Sequence, residues 1–296
     1  MNGIIVIDKP KDFTSFDVVA IMRKICHTKK IGHTGTLDPM ATGVLPILIG
    51  NATKAQSLLP NTNKEYLASF KLGIQTDTQD ITGKVLATST VNVSEYDIVN
   101  ALKKFQGDIL QIPPMYSALK HNGQRLYDLA RQGIEIERKP RPINISKIEL
   151  CKFNPELNEG SFTVSCSTGT YVRTLCEDLG KALGNFAVMT ELRRTSACGF
   201  NLCDAISLEK AKNLGESLCN HLLSVENLFK EYISAYLSPA QSIRFKNGGA
   251  LYLNRLKLKG NISDNEKIRV YNNESNFLGL GIVSMKDNEM KILKNF

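Results

Sequence analysis

The sequence lacks the features that mark several common classes of protein. No apolar run approaches the ~20 residues that a helix needs to cross a bilayer. The N-terminus goes straight into the apolar residues 4–7, without the pattern of a signal peptide, so we expect a cytoplasmic protein. The seven cysteines include no Cys-x-x-Cys pair, and the four histidines show no ligand spacing. Neither a structural zinc site nor a disulfide framework is therefore expected.

Positive charge, by contrast, is in excess. The formal net charge is +8. The basic residues are dispersed over clusters at Lys9, Lys11, Arg23, Lys24, Lys29 and Lys30, at 138–141, and at Arg255, Lys257 and Lys259. A dispersed positive surface suits a long, folded nucleic acid better than a small anion. For any single cluster, ordinary solvated surface charge remains the alternative.

The pattern along the 296 residues changes near residue 230 and suggests roughly two domains. Helix-like and strand-like segments alternate before that point. After it come short strand-like runs separated by turn residues, at 245–249, 267–271 and 277–281. We therefore predict one domain over residues 1–231 and a small all-β module over 232–296.

Hydrophobic spacing also predicts the elements of the first domain. The expected strands are 4–7, 44–49, 64–72, 143–151 and 161–167, and the expected helices are 16–25, 95–105, 125–132, 170–184 and 208–222. Residues 76–84 are polar, and we expect a mobile loop there.

The most informative segment runs from Gly32 to Gly43. It places one carboxylate, Asp38, among three glycines, three threonines, a histidine and a proline, and an apolar run follows at 44–49. A shaped loop before a buried strand can present such an aspartate as a nucleophile or general base. The commoner alternative is structural, because an Asp before a Pro often caps a turn or the start of a helix.

Templates for other chemistries do not match this loop. The chain contains neither a P-loop nor a Gly-x-Ser-x-Gly elbow. Residues 34–38 superficially resemble the loop of phospho-aspartate enzymes, but Gly32 stands where those enzymes have their nucleophile. Nothing in the sequence supplies the second carboxylate of a glycosidase. One aspartate without a metal or cofactor motif fits an isomerisation through a covalent or proton-transfer intermediate.

Seven segments in this order resemble motifs of the TruB family, the tRNA pseudouridine-55 synthases. They are Lys9-Pro10 with Thr14-Ser15, Gly32 to Gly43, Lys64-Glu65-Tyr66, Gln111 to Ala118, Gly169 to Leu175, Leu192-Arg193-Arg194, and Phe277 to Gly281 at the end of an RNA-binding PUA-like module. One position departs from the pattern: Asp12 stands where the first motif usually has Gly. This departure leaves open the shape of that loop and whether it contacts RNA.

The resemblance implies a fold, an activity and a partner. The fold would be α+β, a mixed, largely antiparallel sheet flanked by helices, with a small all-β PUA-like C-terminal domain. The activity would be isomerisation of uridine 55 in the T loop of tRNA to pseudouridine, through a flipped-out base and without metal or cofactor. The partner would be the T arm of tRNA, bound by a monomer that needs neither a membrane nor a protein partner.

The resemblance also implies roles for individual residues. Asp38 would be the catalytic carboxylate, and Arg173 would pair with it through the two-point geometry that a guanidinium allows. Tyr66 would stack on the target base and could shuttle a proton. Tyr171 and Leu192 would line the pocket. From the sequence alone, ordinary packing explains these last three residues equally well.

Further expected contacts lie around this site. His33 would stack in the space that a flipped uridine leaves. Lys9, Lys54 and Lys64 are candidate phosphate contacts, and residues between Arg244 and Lys259 should contact RNA. The alternative from another class is a non-catalytic RNA-binding or tRNA-folding protein with the same surfaces. A related enzyme that acts on a different RNA uridine is the second alternative.

Overall fold

The computed structural model describes residues 1–258 and 262–296. Its strands are β1 (Gly3–Lys9), β2 (Ile31–His33), β3 (Thr42–Ile49), β4 (Lys64–Leu72), β5 (Ile74–Thr76), β6 (Val85–Thr88), β7 (Gly107–Gln111), β8 (Lys120–His121), β9 (Gln124–Arg125), β10 (Arg141–Asn154), β11 (Glu159–Cys166), β12 (Ala187–Ala197), β13 (Phe200–Asn201), β14 (Ile206–Ser207), β15 (Ile233–Tyr236), β16 (Leu251–Tyr252), β17 (Lys257–Leu258), β18 (Lys267–Tyr271), β19 (Phe277–Ser284) and β20 (Glu289–Asn295). The α-helices are α1 (Ser15–Ile25), α2 (Glu95–Lys103), α3 (Leu126–Arg131), α4 (Val172–Ala182), α5 (Leu208–Leu214) and α6 (Pro239–Lys246). Short 3-10 helices cover Gly50–Leu58, Leu202–Asp204, Gly215–His221, Val225–Phe229 and Leu253–Arg255. None of the helices described is both long and apolar enough to span a bilayer.

The first domain is built on one ten-stranded sheet. Its order is β14–β1–β3–β12–β4–β11–β10–β7, with β2 beside β3 and β13 beside β12. Only the β1–β14 and β3–β12 pairs are parallel, so the expected mixed, largely antiparallel sheet is confirmed. Helices α2 and α4 pack against one apolar cluster of this sheet, and α1 and α5 pack against another. Continuous apolar runs in β1 and β3, alternation in β4 and helical spacing of apolar residues explain why the sequence predicted these elements.

Two predictions for this domain need correction. No strand was predicted at 187–197, although β12 lies there at the centre of the sheet between β3 and β4. Its charged residues 191, 193 and 194 interrupt the apolar alternation that identifies a strand. The helix predicted at 208–222 ends at Leu214, because Gly215 adopts a left-handed φ of 52° and a 3-10 helix follows.

The C-terminal unit is a separate β domain, as predicted. Its six-stranded sheet has the order β16–β20–β19–β18–β15–β17 and begins at Ile233. The run at 245–249 is not a strand, because α6 extends to Lys246 and a turn follows. Ser238 caps this helix and Pro239 occupies its first turn, a start signal that the β-like composition obscured. The boundary at 231/232 stays a prediction.

An apolar junction joins the two units. Phe229, Phe277 and Phe296 pack with ring centroids 5.8–6.5 Å apart, in one cluster with Ile4 and other buried residues of the large sheet. Lys54 Nζ also donates a hydrogen bond to the carbonyl oxygen of Asn295, at 3.0 Å. Buried aromatic contacts of this kind resist relative movement, so the junction fixes the C-terminal unit against the sheet.

Candidate active site

The loop that carries Asp38 is held by hydrogen bonds of the residues immediately before and after Asp38. Leu37 exchanges two hydrogen bonds with the buried Ser15 hydroxyl, its N–H donating at 2.8 Å and its carbonyl oxygen accepting at 3.3 Å. On the other side, the carbonyl oxygen of Pro39 accepts from the backbone N–H of Asp12 at 2.9 Å. The helix-capping alternative for Asp38 is not realised. Its carbonyl oxygen accepts from the N–H of Ala41 in a turn at 3.0 Å, and strand β3 begins directly afterwards.

Arg194 supports the same loop through hydrogen bonds to its backbone. This side chain is fully buried, and it donates to the carbonyl oxygens of Val44 at 2.7 Å, Gly35 at 3.0 Å and Thr36 at 3.4 Å. Gly43 allows β3 to approach β12 here, because a Cβ at this position would lie 2.2 Å from the carbonyl oxygen of Arg194. The chain therefore needs glycine at the end of the loop, where φ is +105°.

Arg173 lies at the first turn of α4 and forms an ion pair with Asp38. Its Nε is 3.0 Å from Asp38 Oδ2, while Nη1 and Nη2 donate to the carbonyl oxygens of Thr78 and Tyr116 at 3.1 and 2.9 Å. The expected pairing is thus present, but through a single nitrogen instead of the two-point geometry. The guanidinium is buried, whereas 38% of the Asp38 side chain is exposed. The buried guanidinium therefore orients the carboxylate, while part of the carboxylate remains accessible to solvent or a substrate.

Asp80 is a second acidic partner of Arg173, and the sequence analysis missed it. Its Oδ2 lies 3.6 Å from Arg173 Nη1, and its Oδ1 accepts from the hydroxyl of Thr78 at 2.9 Å and the N–H of Thr82 at 3.0 Å. Asp80 is buried and forms a bridge with Met189 of β12. The segment 76–84, expected to be a mobile loop, forms hydrogen-bonded turns around the buried Thr76 and Asp80. Only the presence of two acids in this polar segment could have suggested a role.

Tyr66 and Leu192 lie on neighbouring strands near the Asp38 loop. Both are buried in the apolar cluster that contains Leu37, the residue before Asp38. Burial raises the pKa of Tyr66 to about 12, although the positive charge of Arg194 opposes this shift. The phenol is therefore neutral at physiological pH and keeps its proton.

Tyr171 lies directly before α4 and is fixed through its backbone. The side-chain amide of Gln111 accepts from the N–H of Tyr171 at 2.8 Å and donates to its carbonyl oxygen at 3.1 Å. Gln111 is buried at the end of the edge strand β7. Burial also raises the pKa of the Tyr171 phenol. Gln111 therefore positions the start of the helix that carries Arg173, a role that only the tertiary contact reveals.

His33 and the three candidate lysines have different environments. His33 ends β2 and is half-buried, and its pKa is lowered by burial and then by the charge of Arg194. Lys64 donates to the Thr168 hydroxyl at 3.2 Å, and burial lowers its pKa. The other two candidates have structural roles instead of free ammonium groups. Lys54 binds the C-terminal strand as described, and fully buried Lys9 donates to the carbonyl oxygens of residues 10, 13 and 39.

The structure thus places Arg173, Tyr66, Tyr171 and Leu192 around the Asp38 loop and adds Asp80 and Arg194, whereas His33 lies on the strand before that loop. Within residues 1–258 and 262–296, no three His, Cys, Asp or Glu side chains converge closely enough to hold a metal ion. A carboxylate fixed by a buried guanidinium beside a neutral phenol is an arrangement suited to nucleophilic or proton-transfer chemistry.

Comparisons with known proteins identify the family of this chain. Residues 23–172 match the family described as TruB family pseudouridylate synthase (N terminal domain), and residues 173–239 match the tRNA pseudouridylate synthase B C-terminal domain. The chain is 47% identical to tRNA pseudouridine synthase B of Clostridium tetani over 282 residues, 95% of each chain. It is 45% identical to the protein of the same name from Clostridium acetobutylicum over 294 residues, 99% of each chain.

Solved structures show the same fold. The chain superposes on a protein of a Cbf5-Nop10-Gar1 complex with a TM-score of 0.74 and 26% identity, covering 99% of this chain and 84% of that one. A second similar chain comes from an H/ACA RNP bound to a substrate RNA containing 2'-deoxyuridine, with a TM-score of 0.75. At 23% identity, with 99% of this chain and 84% of that chain covered, this second likeness shows the fold alone. From the family matches and the extent of identity, the chain belongs to the TruB family of pseudouridylate synthases.

Proposed function

We propose that this protein isomerises uridine to pseudouridine at position 55 in the T loop of tRNA, with Asp38 as its single catalytic carboxylate. The observation that carries the proposal is the geometry of Asp38, which a buried guanidinium holds at 3.0 Å while 38% of its side chain stays exposed. A carboxylate with this support can reach a substrate without losing its orientation. Its family membership and its curated relatives' names support the reaction class and the tRNA substrate.

The reaction breaks the bond between ribose C1′ and uracil N1, turns the ring, and joins C1′ to C5. The proton on C5 must then leave and N1 must gain one, so the overall change is an isomerisation. Asp38 either attacks the sugar or removes a ribose proton, and both routes need a fixed carboxylate. The neutral phenol of Tyr66 lies in the apolar cluster that contains Leu37, the residue before Asp38. It is available to stack on the base and to exchange a proton.

A uridine in a folded T loop is stacked, and flipping it out costs roughly a few kcal/mol. His33 lies on the strand that leads into the Asp38 loop. Burial and Arg194 lower its pKa, so its ring is neutral at pH 7. A neutral imidazole can stack where the base has left, which compensates part of that cost.

The test compares wild-type protein and Asp38→Asn on a T-arm hairpin, with pseudouridine mapped by carbodiimide chemistry. We expect complete modification of one uridine by wild type and none by the variant, with equal hairpin affinity. Equal modification by both proteins would remove Asp38 from the mechanism. No modification by wild type would favour the RNA-binding alternative, and modification of an unrelated hairpin instead would favour a different target.

The C-terminal unit offers a basic surface for the same RNA. Arg244, Lys246, Arg255 and Lys257 are all exposed, whereas Lys259 lies outside the described residues. We propose that this surface contacts tRNA phosphates. The variant Lys246→Ala/Lys257→Ala should bind full-length tRNA more weakly and with a salt slope smaller by about 2, while the exposed control Lys286→Ala leaves both unchanged. Unchanged binding by the double variant would place the RNA elsewhere.

We also propose that the protein acts as a cytoplasmic monomer without a protein partner. The junction supports this, because one chain carries both the Asp38 site and the basic surface in a fixed arrangement. Light scattering of the purified protein with and without hairpin should give the mass of one chain, and that protein alone should be active. Activity only in a dimer or with added extract would refute this.

A further inference from the structure

Gln79 has a backbone conformation that a side chain normally avoids. Its φ is +65°, in the left-handed region that favours glycine. Its two neighbours, Thr78 and Asp80, contact Nη1 of Arg173, whereas Asp38 contacts Nε. Thr78 accepts from Nη1 through its carbonyl oxygen at 3.1 Å, and the Asp80 carboxylate lies 3.6 Å from the same nitrogen. The direction of the chain at Gln79 thus decides whether both groups reach Arg173.

The side chain of Gln79 connects this turn to the helix that carries Arg173. Its Oε1 accepts from the Thr174 hydroxyl at 2.8 Å, and its Nε2 donates to Glu177 Oε2 at 2.7 Å. These two partners lie one and four residues after Arg173 on α4. The backbone carbonyl oxygen of Gln79 also accepts from the N–H of Met189 at 3.1 Å. Gln79 therefore connects the turn to α4 through its side chain and to β12 through its backbone.

We propose that Gln79 is a positioning residue for catalysis, which acts through Arg173 on the orientation of Asp38. The inference rests on the proposed function, in which Asp38 performs the chemistry. A non-glycine residue persists in a strained conformation only when its surroundings hold it there. In this turn the backbone is paired with Met189 of β12, and the two side-chain bonds of Gln79 are its contacts with α4. Removing the side-chain bonds leaves the turn attached to β12 but loosens it against α4, so Thr78 and Asp80 no longer hold Nη1 of Arg173 in a fixed position.

The sharpest test uses the nearly isosteric variant Gln79→Glu. It turns the donor toward Glu177 into an acceptor and sets two carboxylates against each other. We expect the single-turnover rate of pseudouridine formation on the hairpin to fall about ten- to a hundredfold, since a small misplacement of reacting groups costs that much. Hairpin affinity should stay unchanged. In the double variant Gln79→Glu/Glu177→Gln the amide and the acid are exchanged, so the bond is restored and the rate should recover.

Gln79→Gly separates positioning from stability. Glycine accepts φ of +65° without strain but carries no amide. We expect the melting temperature to hold or rise while the rate falls as in Gln79→Glu. Gln106→Ala is the matched control, since its amide donates to the Ser146 carbonyl oxygen at 3.1 Å away from Arg173 and its loss should leave the rate unchanged.

Failure of this inference is distinguishable from failure of the proposed function. If Asp38→Asn is inactive while Gln79→Gly reacts at the wild-type rate, Gln79 has no positioning role. The same conclusion follows if the exchanged double variant recovers no activity although it folds, or if rate and melting temperature fall together in Gln79→Gly. If Asp38→Asn keeps full activity, the proposed function itself is wrong.

Discussion

Replacing Arg194 by Met should destabilise the protein and loosen the loop that carries Asp38. Arg194 is fully buried, and its guanidinium satisfies the carbonyl oxygens of residues 35, 36 and 44. Each buried carbonyl left without a donor costs ~1–3 kcal/mol, so three would cost about 3–9 kcal/mol. Met also removes a charge that has no carboxylate in ion-pair contact among the described residues, which offsets part of this loss. We expect a net loss of about 3 kcal/mol in the free energy of unfolding.

The neighbouring Arg193→Met is the matched control. Arg193 lies on the same strand, but 38% of its side chain is exposed, and it pairs with Asp8 at 2.8 Å on the sheet surface. Because a half-buried ion pair that reaches solvent contributes less than a fully buried guanidinium, this variant should lose only about 1 kcal/mol. Urea unfolding of the two variants compares a fully buried guanidinium with a half-buried one at adjacent positions.

A second measurement reports on the electrostatics of the site. The charge of Arg194 lowers the pKa of His33, after burial as the main cause. In Arg194→Met the pKa of His33 should therefore rise, measured by NMR titration, while burial keeps it below the ordinary value. The single-turnover rate should fall at the same time. Equal stability losses in the two Met variants, with the His33 titration unchanged, would refute the role assigned to Arg194.

Three further predictions concern residues around the same loop. Asp80→Asn removes the charge 3.6 Å from Arg173 Nη1 and should slow single turnover about tenfold or more without changing hairpin affinity, whereas an unchanged rate would show that the Asp38 contact alone suffices. Asp12 has φ of +67°, so Asp12→Gly should raise the free energy of unfolding by about 1 kcal/mol, and a loss of stability would contradict the strain. Burial lowers the pKa of Lys9 to about 8 from 10.5, so between these values the unfolded chain binds a proton that the folded chain has lost, and stability rises with pH. Relative to Lys9→Met, wild type should therefore gain about 1.4 kcal/mol per pH unit from pH 8 to 10.5 in urea unfolding, and a flat difference would contradict the shift.

Local sequence patterns predicted the bounds of some strands and helices closely. The strand predicted at 64–72 matches β4, and the helix predicted at 16–25 matches α1 to within one residue, since apolar spacing and the Thr14 cap are local signals. Strand β12 shows the limit of such signals. Arg194 is polar in sequence yet fully buried, because its donors satisfy backbone carbonyl oxygens of a loop 150 to 159 residues away. No local pattern contains that contact.

The backbone conformation of Asp12 explains why the family's first motif usually has Gly at this position. The sequence placed Asp where the family's first motif usually has Gly, and left the shape of the loop open. The structure gives this residue a left-handed φ of +67°, the conformation for which glycine is best suited. Its backbone N–H still reaches the Pro39 carbonyl oxygen at 2.9 Å, so the loop keeps its support for the Asp38 segment.

By itself the sequence determined the family, the largely antiparallel sheet with a separate β unit, and the candidates Asp38, Arg173 and Tyr66. The resemblance to the family implies these, because each of its motifs is a short run of adjacent residues that can be recognised without the fold. The tertiary structure alone decided which groups support Arg173 and the start of α4. Asp80, Gln79 and Gln111 lie 61 to 93 residues before the start of α4 and reach it only through folding. The structure also shows that Lys9, a candidate phosphate contact in the sequence, is fully buried and donates to backbone carbonyl oxygens. Its burial depends on tertiary packing, which the sequence does not reveal.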